Sequence, residues 1–289
     1  MNRSLQGSVL FEDRRVAVLL ATHANAPDLV RSMAQLRALS FGPRRMQLGF
    51  DHYDALCHHA IAIDRSTGEI VGGSRLGDGA ALLASQGPEG FVAARYWTFL
   101  PSMCDLAARS VEVSRTWVEP GRRRDLRTLA SLWKGLARFL RETPAQYLFG
   151  HITLMGFPPP AVAPIVRYLL RFHYLPGAAP EPLIRARHPL PAPLQARLAP
   201  DPAASEKRTA FSALVAELAR LDTAYTVPAL LRRYILEDAL LAGEPAWDPH
   251  EEKTAVLLYA PVARAVQVVE KWDASSASPP PVSPRAAAR

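Results

Sequence analysis

Apolar residues alternate with two different periods along the chain, and the switch between them marks out its elements. Val16–Ala21 is a short continuous apolar run, the pattern of a buried strand. After it, a proline near the start and Leu29, Met33, Leu36 and Leu39 predict a helix, with Arg37 and Phe41 at its end. His59–Asp64 and Glu69–Leu76, separated by Arg-Ser-Thr-Gly, form a β-hairpin pattern in which Gly68 supplies the turn. Asp51 and Asp54 fall in the loop before it. Residues 77–108 show no clear period, and Ser110–Val118 then reads as a strand rich in β-branched and aromatic residues.

A Pro-Gly-Arg-Arg-Arg turn follows, and then a helix whose buried face is Leu126, Leu129, Ala130, Trp133, Leu136, Ala137 and Leu140. Tyr147–Met155 predicts a strand and Ala161–Leu175 a helix. Proline is dense from Pro176 to Pro202, which predicts an extended connector without regular structure. Ala210–Leu221 and Val227–Ala242 read as helices and Thr254–Tyr259 as a late strand; from about Asp273 the chain lacks the apolar content to fold. Interleaved strands and helices predict an α/β fold with a mixed sheet. The expected units are a core over 1–175, a connector over 176–207, an extension packed on the core over 208–272 and a disordered tail over 273–289.

Composition narrows the function. An apolar fraction of 49% in 289 residues supports a sizeable core, and a formal charge of +7 favours an acidic partner. Cys57 and Cys104 have no metal-ligand spacing, and His58, His59 and His151 have no convincing third ligand, so no metal site is expected. No apolar run reaches the ~18 residues of a membrane span, which points to a cytoplasmic protein, with peripheral contact at the inner membrane face as a further expectation. Basic residues are not interleaved with aromatics, which argues against nucleic acid.

The chemistry concentrates in Glu112 and Arg115, an acid and a guanidinium three apart in a strand-like run. Glu112 is a general-base candidate or half of a structural ion pair with Arg115. In an unbroken strand the two face opposite sides, so a bulge or strand end must separate them if both reach one cleft. Asp51 and Asp54 either hold an ammonium group or anchor Arg37, Arg75 and Arg115 in a buried network. Phe41 is a substrate contact or an ordinary core residue. The cations Arg127, Lys134, Arg138 and Arg141 share one side of their helix, forming a docking stripe or a solvated face.

Taken in order, the motifs Arg37-x-x-x-Phe41, Asp51-x-Tyr-Asp54-x-x-Cys57-x-His59, Arg75-Leu76, Glu112-x-Ser-Arg115, Leu132-Trp-Lys-Gly135 and Tyr147-Leu-Phe-Gly150 resemble those of bacterial acyl-carrier-protein-dependent N-acyltransferases of the GNAT superfamily. This is the hemolysin-like group that makes ornithine and glycine aminolipids. The first half also resembles acyl-homoserine-lactone synthases. The resemblance implies a GNAT-like mixed, splayed sheet flanked by helices, with a C-terminal helical and strand extension. It implies Glu112 as base and Arg37, Phe41, Asp51, Asp54, Arg75 and Arg115 as substrate-binding residues, with the splay between the Glu112 strand and the Tyr147 strand.

It further implies transfer of a long, 3-hydroxylated acyl group from acyl carrier protein to a small amino acid, with no bound cofactor and a separate O-acyltransferase to add a second chain. A turn bearing Gly121, Arg122, Arg123 and Arg124 in place of a Gly-rich cradle favours a carrier-borne phosphopantetheine arm over ordinary CoA, with the Arg127 to Arg141 stripe meeting the carrier. One departure is that Glu-Val-Ser-Arg-Thr stands where the aminolipid group commonly has Glu-Leu-Gly-Arg-Ser. The alternatives are a signal synthase making an acyl-homoserine lactone or other N-acyl amino acid, and a non-catalytic acyl-carrier or lipid-binding module.

Overall fold

The computed structural model describes residues 8–41, 49–122, 127–174, 183–198, 207–236 and 238–276. The chain begins with β1 (Val9–Glu12) and β2 (Val16–Thr22), followed by α1 (Pro27–Phe41) and the short α2 (His52–Leu56). The expected hairpin is β3 (His58–Asp64) and β4 (Ile70–Asp78), with Gly68 in the left-handed region at φ 74°. The aperiodic stretch holds α3 (Gly79–Gln86), β5 (Trp97–Phe99) and α4 (Pro101–Ala107), with 3-10 turns at Gly87–Gly90 and Val92–Arg95.

Next come β6 (Ser110–Val118), α5 (Arg127–Arg141), β7 (Tyr147–Leu154) and α6 (Pro159–Phe172). The remaining elements are β8 (Ile184–Ala186), α7 (Ala192–Gln195), α8 (Lys207–Leu221), α9 (Ala229–Leu236), β9 (Leu240–Leu241), β10 (Ala246–Asp248), β11 (Lys253–Pro261) and α10 (Val262–Ser276).

The main sheet runs β1-β2-β3-β4-β6-β7-β11-β10, with β9 paired to β11. Every pairing in it is antiparallel except β6 with β7, so the sheet is mixed as the alternation of elements predicts. Side chains of successive strand residues go to opposite faces. Ala60 and Ala62 accordingly join a core with Trp133, Leu136 and Leu140 of α5 and Ile165 and Leu169 of α6, whereas Ile61 packs with Val30 and Met33 of α1. Helix α5 buries Trp133, Leu136, Ala137 and Leu140 as its period predicts, but leaves Leu129 and Ala130 half-buried and buries Leu132 and Phe139 as well, with Leu126 outside the described residues; α10 adds Ala265 and Val269 to the same core.

Several expectations change. Helix α1 buries Val30, Met33, Ala34, Arg37 and Ala38 and leaves Leu36 and Leu39 at the surface, because Arg37 turns inward to a buried carboxylate. The helix expected over 227–242 ends at Leu236, and Leu240–Leu241 pairs with β11 instead. Within the proline-dense stretch, Ile184–Ala186 pairs with β5, since proline blocks hydrogen bonds only at its own nitrogen. Helix α10 continues to Ser276, past the expected end of folded structure.

Candidate functional site

Glu112 sits where β6 and β7 part. The two strands share three rungs, Ser110 with Tyr147, Val111 with Leu148 and Glu112 with Phe149, and no pairing follows. This is the splay expected between these strands. A Cβ on Gly150 would stand 2.4 Å from the Val113 carbonyl oxygen, so only glycine permits so close an approach at the fork. Opposite Glu112 on β4 is Gly77, where a Cβ would meet Leu82 at 2.8 Å, which leaves the Glu112 side chain its space.

The Glu112 carboxylate is 1% exposed, and backbone donors hold it: the Val92 N–H reaches Oε2 at 3.0 Å and the Ala93 N–H reaches Oε1 at 2.8 Å. Burial drives its pKa up to about 7; the two N–H bonds and the charges of Arg75 and Arg115 oppose the rise. Two carboxylate lone-pair positions remain for a substrate proton. Arg115 makes no ion pair with it among the described residues, so the structural-pair reading of these two is replaced by a carboxylate held by a turn.

A bulge separates Glu112 from Arg115. Gly73 pairs with Trp117 but Arg75 with Ser114, which places one extra residue on β6, and Arg115 takes φ 53° within it. The bulge resets the alternation, and Arg115 comes to the Glu112 side, where its charge acts on both Glu112 and His151. Its Nε is buried without a partner, and burial together with Arg75 lowers its pKa to about 10.

Asp51 and Asp54 lie at the start of α2 and not in a free loop. Asp51 is its N-cap, and the two form a reciprocal capping box. Asp54 is fully buried and accepts from Arg37 through Nη1 at 2.9 Å and Nη2 at 2.7 Å, and from Arg75 through Nε at 3.0 Å and Nη2 at 2.6 Å. Arg75 also reaches Asp51 at 2.8 Å, and the Asp54 carbonyl lies 2.9 Å from His59 Nε2. The anchoring network therefore holds Arg37 and Arg75 but leaves out Arg115. Although burial of Asp54 acts upward, these guanidiniums outweigh it and keep the carboxyl well below the usual carboxylate range. Phe41 packs in the small cluster under α1 with Val30, Met33 and Trp117.

The basic residues are less concentrated than their spacing suggests. Arg122 pairs with Asp64 at 2.6 Å, Arg138 with Glu142 at 2.9 Å, and Arg141 with Glu270. Lys134 stands 4.9 Å from the centre of the Phe11 ring, and Arg127 is exposed on the first turn of α5. Arg123 and Arg124 lie outside the described residues. His58 and His59 face opposite ways, one toward Phe139 and the other toward Asp54.

Sequence reasoning missed the turn Val92–Arg95 because its role comes from backbone N–H groups, which carry no residue signature. Arg187, in the proline-dense stretch, secures that turn: its Nε donates to the Ala94 carbonyl at 2.7 Å, its backbone N–H to Tyr96 at 2.8 Å, and its guanidinium pairs with Glu89. His151 lies two residues past the last shared rung, where the sequence offers no signal beyond the lack of a metal-ligand set. Its ring lies 5.0 Å from that of Tyr96, and burial followed by Arg115 and Lys253 pushes its pKa down to about 3.

The splayed mixed sheet with an acid at the fork is GNAT-like, and residues 36–134 match the model of the acetyltransferase (GNAT) domain family. The chain is 27% identical over 199 residues to glycine N(alpha)-acyltransferase of Bacteroides thetaiotaomicron, covering 60% of this chain and 59% of that protein. It thus spans less than two thirds of the relative's length. Among solved structures it resembles the CoA-dependent acyl-homoserine lactone synthase BjaI with SAM and isopentyl-CoA, at 12% identity and TM-score 0.47 over 89% of each chain. It also resembles the synthase MesI, at 14% identity and TM-score 0.42 over 91% of this chain and 97% of that one.

Proposed function

We propose that this protein is an N-acyltransferase that moves a long, 3-hydroxylated fatty acyl group from acyl carrier protein to the amine of a small amino acid such as glycine or ornithine, giving a lyso-aminolipid. The observation that carries this reading is the buried Glu112 carboxylate at the rung where β6 and β7 separate. A carboxylate with pKa near 7 takes a proton from an attacking amine at neutral pH. The amine nitrogen bonds to the thioester carbonyl carbon, the carbon–sulfur bond breaks, the amine proton passes to Glu112, and the thiolate leaves and is protonated. Beyond the last shared rung, β6 and β7 have backbone amides free of ladder bonds to one another, and an N–H there would stabilise the developing oxyanion.

Glycine as acceptor is supported by the name of the curated relative. A carrier-protein donor is supported by the charge of +7 and by a turn with Gly121 alone in place of a Gly-rich cradle. The ion pairs of Arg138 and Arg141 are exposed or half-exposed, and such pairs hold weakly enough to exchange for a carrier's acidic residues, whereas Arg122 is tied to the buried Asp64. The amphiphilic product places the enzyme at the inner membrane face. Among the described residues no helix is long and apolar enough to cross a membrane.

Mass spectrometry of lipid extracts and medium from a host expressing the chain or its Glu112→Gln variant tests the reading. A new cell-retained amide-linked acyl amino acid, absent with the variant, is expected. A medium-soluble lactone, or no new amide with acyl carrier protein supplied, would overturn it.

A further inference from the structure

Arg95 belongs to none of the motifs, yet it ends the 3-10 turn whose first two N–H groups hold Glu112. Its side chain is exposed and makes no hydrogen bond or ion pair with any described residue. It lines a cavity of about 170 Å³ together with Tyr96, His188, Trp247, Asp248 and His250. Tyr96 joins the cavity to the fork, its ring lying 5.0 Å from that of His151 on β7.

The lining is rich in hydrogen-bond donors and holds one acid, whose charge is already matched. Asp248 accepts from the backbone N–H groups of His250 at 3.0 Å and Glu251 at 3.1 Å, and Lys253 stands 3.7 Å from its other oxygen. Arg95 has no such counterion. Arg115 adds a second positive charge to this region, partly offset by Asp51, and the charges of both guanidiniums act on His151. An exposed guanidinium without a counterion, on the wall of a donor-lined cavity, is suited to an incoming anion. The cavity is smaller than pockets for drug-sized ligands and suits a small polar molecule, not a fatty chain.

We infer that Arg95 holds the carboxylate of the acceptor in this cavity, so that the substrate is a free amino acid and not its amide or ester, with Arg95 as a selectivity residue. The inference rests on the N-acyltransferase reading. A guanidinium fork engages a carboxylate through two parallel N–H bonds, which fixes the orientation of the acid and thereby aims its amine at Glu112.

The test uses the full chain with an acyl-carrier-protein thioester, comparing glycine with glycinamide and ornithine with its amide, in wild type, Arg95→Ala and Arg95→Lys. Arg95→Ala is expected to raise the KM of the free acid roughly tenfold or more, with kcat and the KM of the amide little changed; Arg95→Lys recovers part of the loss. An unchanged acceptor KM would overturn the inference. So would a raised donor KM in its place, which would assign Arg95 to the phosphate of the carrier arm.

Calorimetric titration of glycine and ornithine, each against its amide, reads binding without turnover. If no amine is acylated, the N-acyltransferase reading fails by itself. Tighter binding of the free acid that disappears in Arg95→Ala still supports the carboxylate site, and no binding of either free acid removes it.

Discussion

Glu112 faces Phe149 across the last rung that β6 and β7 share, so the only buried glutamate among the described residues stands at the fork of the sheet. Its carboxylate is held by N–H groups from a turn about twenty residues earlier and not by the arginine three residues on.

Glu112→Gln keeps the shape and one acceptor oxygen but cannot take a proton. Loss of turnover on the order of 10²- to 10⁴-fold is expected with folding intact, checked by steady-state kinetics and circular dichroism. In wild type, kcat/KM should rise with pH through an acidic limb near 7, where Glu112 loses its proton. A limb that persists unchanged in Glu112→Gln would assign it to another group; His151, held at about 3, is not that group.

The same shift has a cost in stability. The folded pKa of Glu112 lies above its ordinary value of 4.5, so the folded state retains a proton that the unfolded state releases between about 4.5 and 7. This contribution favours folding fully below the lower value and is lost as pH rises through the upper one. The stability difference between Glu112→Gln and wild type should therefore move in favour of the variant as pH rises from 5 to 8, by on the order of 3 kcal/mol at most, as read by denaturant unfolding at several pH values.

Arg187 is a positioning residue for the turn that grips Glu112. Arg187→Ala should loosen the Val92 and Ala93 N–H groups, which lower the Glu112 pKa, and so move the acidic limb upward by up to about one unit. A lower kcat with an unmoved limb would mean that Arg187 acts elsewhere.

Arg115 occupies a left-handed backbone conformation at φ 53°, which costs a residue with a Cβ about 1–2 kcal/mol. Arg115→Gly relieves that cost and removes a buried, unpaired Nε. The variant should be at least as stable as wild type by thermal unfolding and clearly less active, a separation that a purely structural Arg115 would not show.

Asp54→Asn leaves the inward-turned guanidiniums of Arg37 and Arg75 without their central counterion. Destabilisation of about 3–5 kcal/mol is expected from denaturant unfolding. Because its folded pKa is depressed, the contribution of Asp54 in wild type is present above its ordinary carboxylate range and is lost only as pH falls toward the lowered value.

What was legible in the chain is what depends on near neighbours. The period of Trp133, Leu136, Ala137 and Leu140 placed α5, two strand-like runs and Gly68 placed the β3–β4 hairpin, and the odd spacing of Glu112 and Arg115 called for a bulge or strand end if both reach one cleft, of which the structure has the bulge. Helix α1 was placed but its buried face was misjudged, because Leu36 and Leu39 outweigh Arg37 on hydrophobicity alone. Only a carboxylate waiting on α2 makes burying that arginine favourable, and Asp54 is 17 residues away.

By itself, then, the sequence determined the alternation of strands and helices, the acid and the cations available, and that Glu112 and Arg115 can share a cleft only across a bulge or strand end. Tertiary structure decided which of them meet: that Arg75 goes to Asp54 while Arg115 stays unpaired, that backbone N–H groups and not a side chain hold Glu112, and that a proline-dense segment secures those groups through Arg187. Periodicity is a property of consecutive residues and can be read along the chain, whereas burial and charge pairing depend on contacts between residues far apart in it, which exist only once the sheet has closed around them.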